Sequence, residues 1–148
     1  MIDKQEYYHG AALIRLLEDT RCASVKKHAV GYIINDEVIV LLKYRTNNRT
    51  PWRFSFTLDE MISMETLYKE NAKIVIALVC GGDGVCTIHA EELNSVMGDN
   101  PEWIAVRRNF KEQYGVAGPK GLLERKIAFQ RWPAIVFEPA SKIKCRRA

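Results

Sequence analysis

A lysine closes an otherwise apolar segment in EVIVLLKYRTNNRTPWRFSF (37–56), and a polar loop rich in arginine and asparagine follows it. Lys43 could lie beside a metal ion if carboxylates surrounded it. Mg²⁺ requires such carboxylates because it prefers hard oxygen ligands. A bound Mg²⁺ could then activate a water molecule for attack. A strand-end lysine whose stem covers apolar surface while its ammonium reaches water would show the same pattern.

The loop RTNNRT (45–50) has the side chains that contact nucleic acid. Arginines bind phosphates, and asparagine amides can read base edges. Together with the outward arginine of the next strand, the predicted contacts are Arg45, Asn47, Asn48, Arg49 and Arg53. Trp52 could stack on a base, but the alternation of WRFSFTL (52–58) favours burying it with Phe54 and Phe56.

A second basic region lies between residues 107 and 132. Its predicted nucleic-acid contacts are Arg107, Arg108, Lys120, Arg125 and Arg131. Residues 1–100 hold 11 Lys/Arg and 14 Asp/Glu, a net charge of −3, whereas residues 101–148 hold 11 and 4, a net charge of +7, which sum to +4. This asymmetry is typical of a polyanion-binding face, although solubility and the charge of the C-terminal tail would also explain it, and solvated outer strand positions would explain the basic residues of 107–132.

The composition predicts one globular domain over residues 1–148, with a flexible basic tail at 141–148. The chain is 47% hydrophobic and 27% charged, and it has no run of about 18 apolar residues that could span a membrane. We therefore expect no membrane partner and a cytoplasmic location. The four cysteines are too sparse for a disulfide scaffold, and Cys80, Cys86 and His89 lack a usual zinc spacing, so no metal or other cofactor is predicted.

Hydrophobic periodicity predicts the elements that must position these side chains. The predicted helices are 5–19, 59–71 and 90–97, and the predicted strands are 24–34, 37–44, 52–58, 73–80, 85–89, 102–110, a stretch near 114–116, 122–132 and 134–137. The fold class is therefore α+β, with a mixed and mostly antiparallel sheet. An α-β-β-β-α-β core is followed by a further hairpin and a strand-rich C-terminal part.

The order of elements over residues 5–80 resembles the core of the PD-(D/E)XK, or restriction-endonuclease-like, superfamily. In that family, an acid on one strand and an acid-x-lysine on the next hold Mg²⁺, and the lysine steadies the attacking water or phosphate. The resemblance makes Lys43 the lysine and leaves Leu41 in the acid position. Asp36 cannot replace it, because seven residues of extended strand place its backbone roughly 23 Å from that of Lys43.

Two other side chains could complete such a site. A two-residue turn at Asn35-Asp36 would place His28 opposite Lys43 on the neighbouring strand. Glu18, late in the first helix, could supply a displaced carboxylate.

Three functional hypotheses follow. The first is a nucleic-acid-associated protein, binding DNA or RNA, whose nuclease-like core lacks intact metal ligands and which is not expected to be an enzyme. The second is a Mg²⁺-dependent nuclease that uses Lys43 with Glu18 or His28. The third is a protein-interaction module that forms a homodimer through exposed strands or an aromatic patch around Trp103 and Trp132.

Overall fold

The computed structural model describes residues 1–139, so the tail predicted to be flexible, 141–148, lies outside the described residues. The helices are α1 (Lys4–Leu17), α2 (Leu58–Lys69) and α3 (Ala90–Met97), with a 3-10 helix at Ala134–Phe137. The strands are β1 (Val25–Lys27), β2 (Tyr32–Ile34), β3 (Val38–Arg45), β4 (Trp52–Ser55), β5 (Lys73–Cys80), β6 (Gly84–His89), β7 (Trp103–Arg107), β8 (Gly115–Gly118) and β9 (Gly121–Leu122).

The strands form two sheets. The first has the order β1-β2-β3-β5-β6, in which β3 and β5 are parallel and every other pair is antiparallel. The second has the order β4-β7-β8-β9 and is antiparallel throughout. The predicted α+β class with mostly antiparallel pairing is confirmed, but the strands are divided between two sheets because 52–58 joins the later strands.

Successive residues of β3 point to opposite faces of the first sheet and belong to two different core clusters. Val40 and Leu42 face α1 and the C-terminal segment around Trp132 and Ile135. Ile39 and Leu41 face the second sheet, where they pack in one cluster with Trp52, Phe54, Phe56 and the buried residues of α3. The first sheet therefore lies between α1 on one side and the second sheet on the other, and this buries β3 on both faces.

Capping boxes fix the starts of the first two helices. The Asp3 carboxylate accepts from the Glu6 N–H at 2.8 Å, and the Glu6 carboxylate accepts from the Asp3 N–H at 3.0 Å. Thr57 and Glu60 make the same reciprocal pair at the start of α2. Each box satisfies donors that the first helical turn leaves free.

The segment 24–34, predicted as one strand, is a hairpin of two short strands. His28 lies in its turn, where the His28 N–H donates to the Gly31 carbonyl at 2.9 Å. Gly31 is required there, because a Cβ would lie 2.2 Å from the Val40 carbonyl oxygen. Asn35 and Asp36 adopt the expected positive φ, yet Ile34 pairs with Val38, so three residues rather than two separate the paired positions.

The C-terminal predictions at 122–132 and 134–137 are wrong. Only Gly121–Leu122 forms a strand there, Ile127 makes an isolated bridge to Tyr114, and 134–137 is a 3-10 helix. The end of that helix is held by the Lys73 ammonium, which donates to the carbonyls of Ile135 at 2.8 Å and Val136 at 3.2 Å. Burial lowers the pKa of Lys73.

Across residues 1–139, none of the helices combines the length and the apolar character needed to cross a bilayer.

Candidate nucleic-acid interface

The loop 45–50 is fixed to the turn that follows β5. The Asn47 amide donates to the carbonyls of Arg49 at 2.8 Å and Pro51 at 3.2 Å, and the Asn47 carbonyl accepts from the Trp52 indole at 2.8 Å. Gly81 has φ +55°, and a Cβ there would lie 2.2 Å from the Asn47 carbonyl oxygen. The Asn47 side chain is therefore committed to the loop itself rather than free to read a base.

Asn48, the next residue of this loop, lines a groove of about 480 Å³. The groove is also lined by Tyr7, Tyr8 and Arg15 of α1 and by the turn after β5. Tyr8 stacks on Tyr44 at the end of β3, with ring centroids 5.2 Å apart. This groove could not be predicted from the sequence, because it depends on how α1 meets the loop 45–50 and the turn after β5.

The outer face of the second sheet carries two of the predicted arginines. Arg53 is paired with Ala105, so Trp103 and Arg107 are its two diagonal neighbours on the same face. The Arg53 guanidinium lies over the Trp103 ring, 4.9 Å from its centroid. We call Arg53, Trp103 and Arg107 the arginine face.

Small residues keep the arginine face open. Its neighbouring outward positions are Ser55, Ala105, Gly115 and Ala117. Arg53 and Arg107 are exposed, and within residues 1–139 neither makes a salt bridge to an acid. The face thus offers two cations to solvent, and one of them lies over the Trp103 ring.

Arg45 and Arg49 are also exposed and, in the described part of the chain, form no salt bridge. The loop that contains Arg49 ends beside the end of β7, where the Thr50 hydroxyl accepts from the Arg108 N–H at 3.3 Å. The end of the loop that carries Arg49 is therefore close to the end of β7, where Arg107 of the arginine face lies.

Arg108 has an internal role instead. Its guanidinium donates to Asp83 at 2.7 and 2.8 Å and to the Glu112 carbonyl at 3.1 Å, and it lies 4.3 Å from the centroid of the Phe129 ring. The Tyr114 hydroxyl donates to the same carboxylate at 3.0 Å. These bonds lower the pKa of Asp83, with the Arg108 hydrogen bond as the largest cause.

The remaining predicted cations do not converge on the arginine face. Arg131 donates to Glu92 at 3.1 Å, so its charge is paired. Lys120 lies in the turn between β8 and β9, with its stem near Gly98. Arg125 is exposed in the segment after β9. Sequence spacing could not separate these groups, because their positions depend on how the two sheets meet.

The structure also changes the interpretation of the charge asymmetry. Residues 1–139 hold 18 Lys/Arg and 18 Asp/Glu, so their net charge is zero, and the chain's +4 comes from Lys142, Lys144, Arg146 and Arg147. Any electrostatic attraction from the described part must therefore come from local groups such as the arginine face rather than from overall charge.

Lys43 is held by a carboxylate that the sequence resemblance did not assign. Its ammonium donates to both oxygens of Glu60, at 2.8 and 2.9 Å, and lies 4.9 Å from the centroid of the Phe56 ring. The capping-box pattern TLDE (57–60) was the available signal for Glu60.

The other nuclease candidates lie elsewhere. Glu18 caps the end of α1, which covers the face of the first sheet opposite to Lys43. Tyr8, not Glu18, contacts the end of β3, and ten helical residues span about 15 Å. The His28 ring accepts from the Val30 N–H at 3.2 Å within its turn. Among residues 1–139, no group of three or more His, Cys, Asp or Glu side chains is arranged to hold a metal.

Glu60 should therefore matter for stability. We expect Glu60→Ala to lower the free energy of unfolding by about 2 kcal/mol, since it removes a helix cap and leaves a partly buried ammonium unpaired. Glu60→Gln should cost about half as much, because the amide can still complete the capping box. Urea unfolding measures both, and an unchanged midpoint for Glu60→Ala would contradict the assigned role.

Comparison of the chain with models of known protein families, with curated proteins and with solved structures finds no match.

Proposed function

We propose that this chain is a nucleic-acid-associated protein that binds single-stranded DNA or RNA on its arginine face. The observation that carries the proposal is the arrangement of Arg53, Trp103 and Arg107 on one exposed sheet surface, with small residues between them. Bases stack on aromatic rings and on guanidinium planes, and arginines neutralise phosphates. A single strand fits such a surface because its bases are free to stack.

The proposal includes a nuclease-like core without a metal site. Support comes from the chain order α1, β1, β2, β3, β4, α2 and β5, in which β1 to β3 are antiparallel and β5 returns parallel to β3. The strand predicted at 52–58 is β4, which pairs in the second sheet, so the third strand beside β3 comes from the division of 24–34 into β1 and β2. Leu41 occupies the position where the resembled family has its acid, and it is buried. Lys43 is paired with Glu60 rather than facing a cluster of acids. Binding without cleavage is the activity that this arrangement supports.

The test is fluorescence anisotropy with labelled single- and double-stranded DNA and RNA at two salt concentrations. We expect tighter binding to the single strands. Arg53→Ala combined with Arg107→Ala should flatten the slope of log affinity against log salt by about 1.4, since each phosphate contact on a single strand contributes about 0.7. Trp103→Ala should weaken the binding free energy by about 1–3 kcal/mol, which is the loss expected for one stacked base.

A matched control removes two cations from elsewhere. Lys26→Ala with Lys69→Ala changes the net charge equally but alters β1 and the end of α2, outside the arginine face. Both double variants keep the four cations of residues 140–148. Equal affinity and salt slope in the two variants, or no binding at low salt, would refute the proposal. Mg²⁺-dependent cleavage on a gel would favour the nuclease alternative instead.

A further inference from the structure

The exposed side of α1 is unusually apolar for a solvent-facing helix. Tyr7, Ile14 and Leu17 are 66%, 54% and 58% exposed. Gly10 lies between them, and a Cβ at Gly10 would meet no atom within 4 Å. The spacing 7, 10, 14 and 17 places these residues along one seam, which is the spacing of helices that pair along their length.

Two of the charges on α1 fit a second copy of the same helix as the partner. Lys4 stands at the first position of the helix, and Glu18 caps its end. Both charges oppose the helix dipole, which favours acids near the start of a helix and bases near its end. In a second α1 lying antiparallel to the first, Glu18 of the second copy would lie beside Lys4, and each charge would then meet both an opposite charge and the favourable end of a helix.

The apolar seam fits the same arrangement. When two seams run antiparallel, positions whose numbers sum to 24 face each other, so Tyr7 meets Leu17 of the second copy and Gly10 meets Ile14 of the second copy. Lys4, Ala11 and Glu18 form the row beside this seam, where positions whose numbers sum to 22 face each other. Lys4 therefore faces Glu18 of the second copy, and Ala11 lies near the two-fold axis. Ile14 therefore faces the space beside Gly10, and Tyr7 faces Leu17, so the same patch on both copies meets itself, as a two-fold interface requires.

We propose that α1 is the interface of a homodimer in which two copies pair antiparallel through Tyr7, Gly10, Ile14 and Leu17. The aromatic patch predicted around Trp103 and Trp132 cannot provide this interface, because Trp132 is buried beneath α1, where its indole donates to the Ala12 carbonyl at 3.1 Å. Since α1 and the second sheet lie on opposite sides of the first sheet, the dimer leaves both arginine faces open. The proposal is thus independent of nucleic-acid binding.

The test is analytical ultracentrifugation of the full chain over a wide concentration range. We expect a concentration-dependent rise from the chain mass to twice that mass. Gly10→Gln should abolish the rise, because it fills the space that the second helix needs. Glutamine also favours helix over glycine, so a thermal midpoint equal to or above that of the wild type would show that the loss is not due to unfolding.

Charge reversal tests the antiparallel direction. Lys4→Glu alone and Glu18→Lys alone should each weaken association by about tenfold, since two exposed ion pairs become two repulsive pairs. The double variant Lys4→Glu with Glu18→Lys should restore the wild-type affinity. A wild type that stays monomeric, or a dimer unaffected by Gly10→Gln, would overturn the proposal. Additive losses in the double variant would overturn the antiparallel pairing.

Discussion

Asp83→Ala is expected to lower the free energy of unfolding by about 3 kcal/mol, among the larger losses from a single substitution in this chain. The Asp83 carboxylate accepts two hydrogen bonds from Arg108 and one from Tyr114. The Arg108 side chain is only 13% exposed and Tyr114 is fully buried. Removing the carboxylate leaves a guanidinium and a hydroxyl without an acceptor in a place that water reaches poorly.

The size of this effect also follows from where Asp83 lies. It belongs to the turn between β5 and β6 of the first sheet, whereas Arg108 follows β7 and Tyr114 precedes β8 of the second sheet. The three side chains therefore connect the two sheets at one edge. Loss of Asp83 should loosen the contact between the sheets in addition to removing three bonds.

Urea unfolding at neutral pH measures the change, and Glu65→Ala is the matched control. Glu65 lies 4.0 Å from Lys69 in a pair whose side chains are 69% and 73% exposed, so its removal should change stability by less than about 0.5 kcal/mol. Asp83→Asn should fall between the two, because the amide oxygen can still accept from Tyr114. Equal losses for Asp83→Ala and Glu65→Ala would contradict the structural role.

The elements with strong periodicity could be predicted from the sequence. Strict alternation placed Trp52, Phe54 and Phe56 in the core, and all three are buried. The continuous apolar run at 73–80 is β5, which is covered on both faces. These predictions succeed because a buried face imposes its period on the sequence whatever lies opposite.

The predictions that failed depended on contacts between distant segments. The segment 24–34 was split by a close approach of Gly31 to β3, which no local pattern reveals. Residues 122–132 imitate a strand, yet Ile127 joins one core cluster and Trp132 joins the other, on opposite sides of the first sheet. Strand propensity depends on the residues of a segment alone, whereas 122–132 passes from one side of the first sheet to the other.

The candidate site shows the same division. Arg53 and Arg107 could be predicted as exposed cations, because their neighbours alternate with them. That Arg108 would instead bind an acid 25 positions away could not be predicted. The adjacent residues Arg107 and Arg108 thus have different roles: Arg107 ends β7 on its solvent-exposed face, whereas Arg108, directly after the strand, donates to Asp83.

Acidification should destabilise this protein through His89. The His89 side chain is 4% exposed, and burial, with repulsion from Arg131 and Lys73, lowers its pKa to about 4. The unfolded chain binds a proton at this residue below about pH 6.5, whereas the folded chain does so only below about pH 4. Stability is therefore complete above pH 6.5 and falls as pH drops toward 4, by up to about 3 kcal/mol.

Urea unfolding across this range measures the effect, and His89→Asn should remove most of it. Asparagine suits the position because it stays neutral and can occupy the start of α3 as an N-cap.

His9, whose pKa is also lowered by burial, is half-buried and should contribute less, so His9→Gln should keep most of the pH dependence. Asp83, whose pKa is lowered, keeps its contribution above about pH 3.8 and loses it only at lower pH, below the range in which His89 acts. An unchanged pH dependence in His89→Asn would show that this imidazole takes up its proton over the same pH range in the folded and unfolded chains, which would contradict its burial beside two cations.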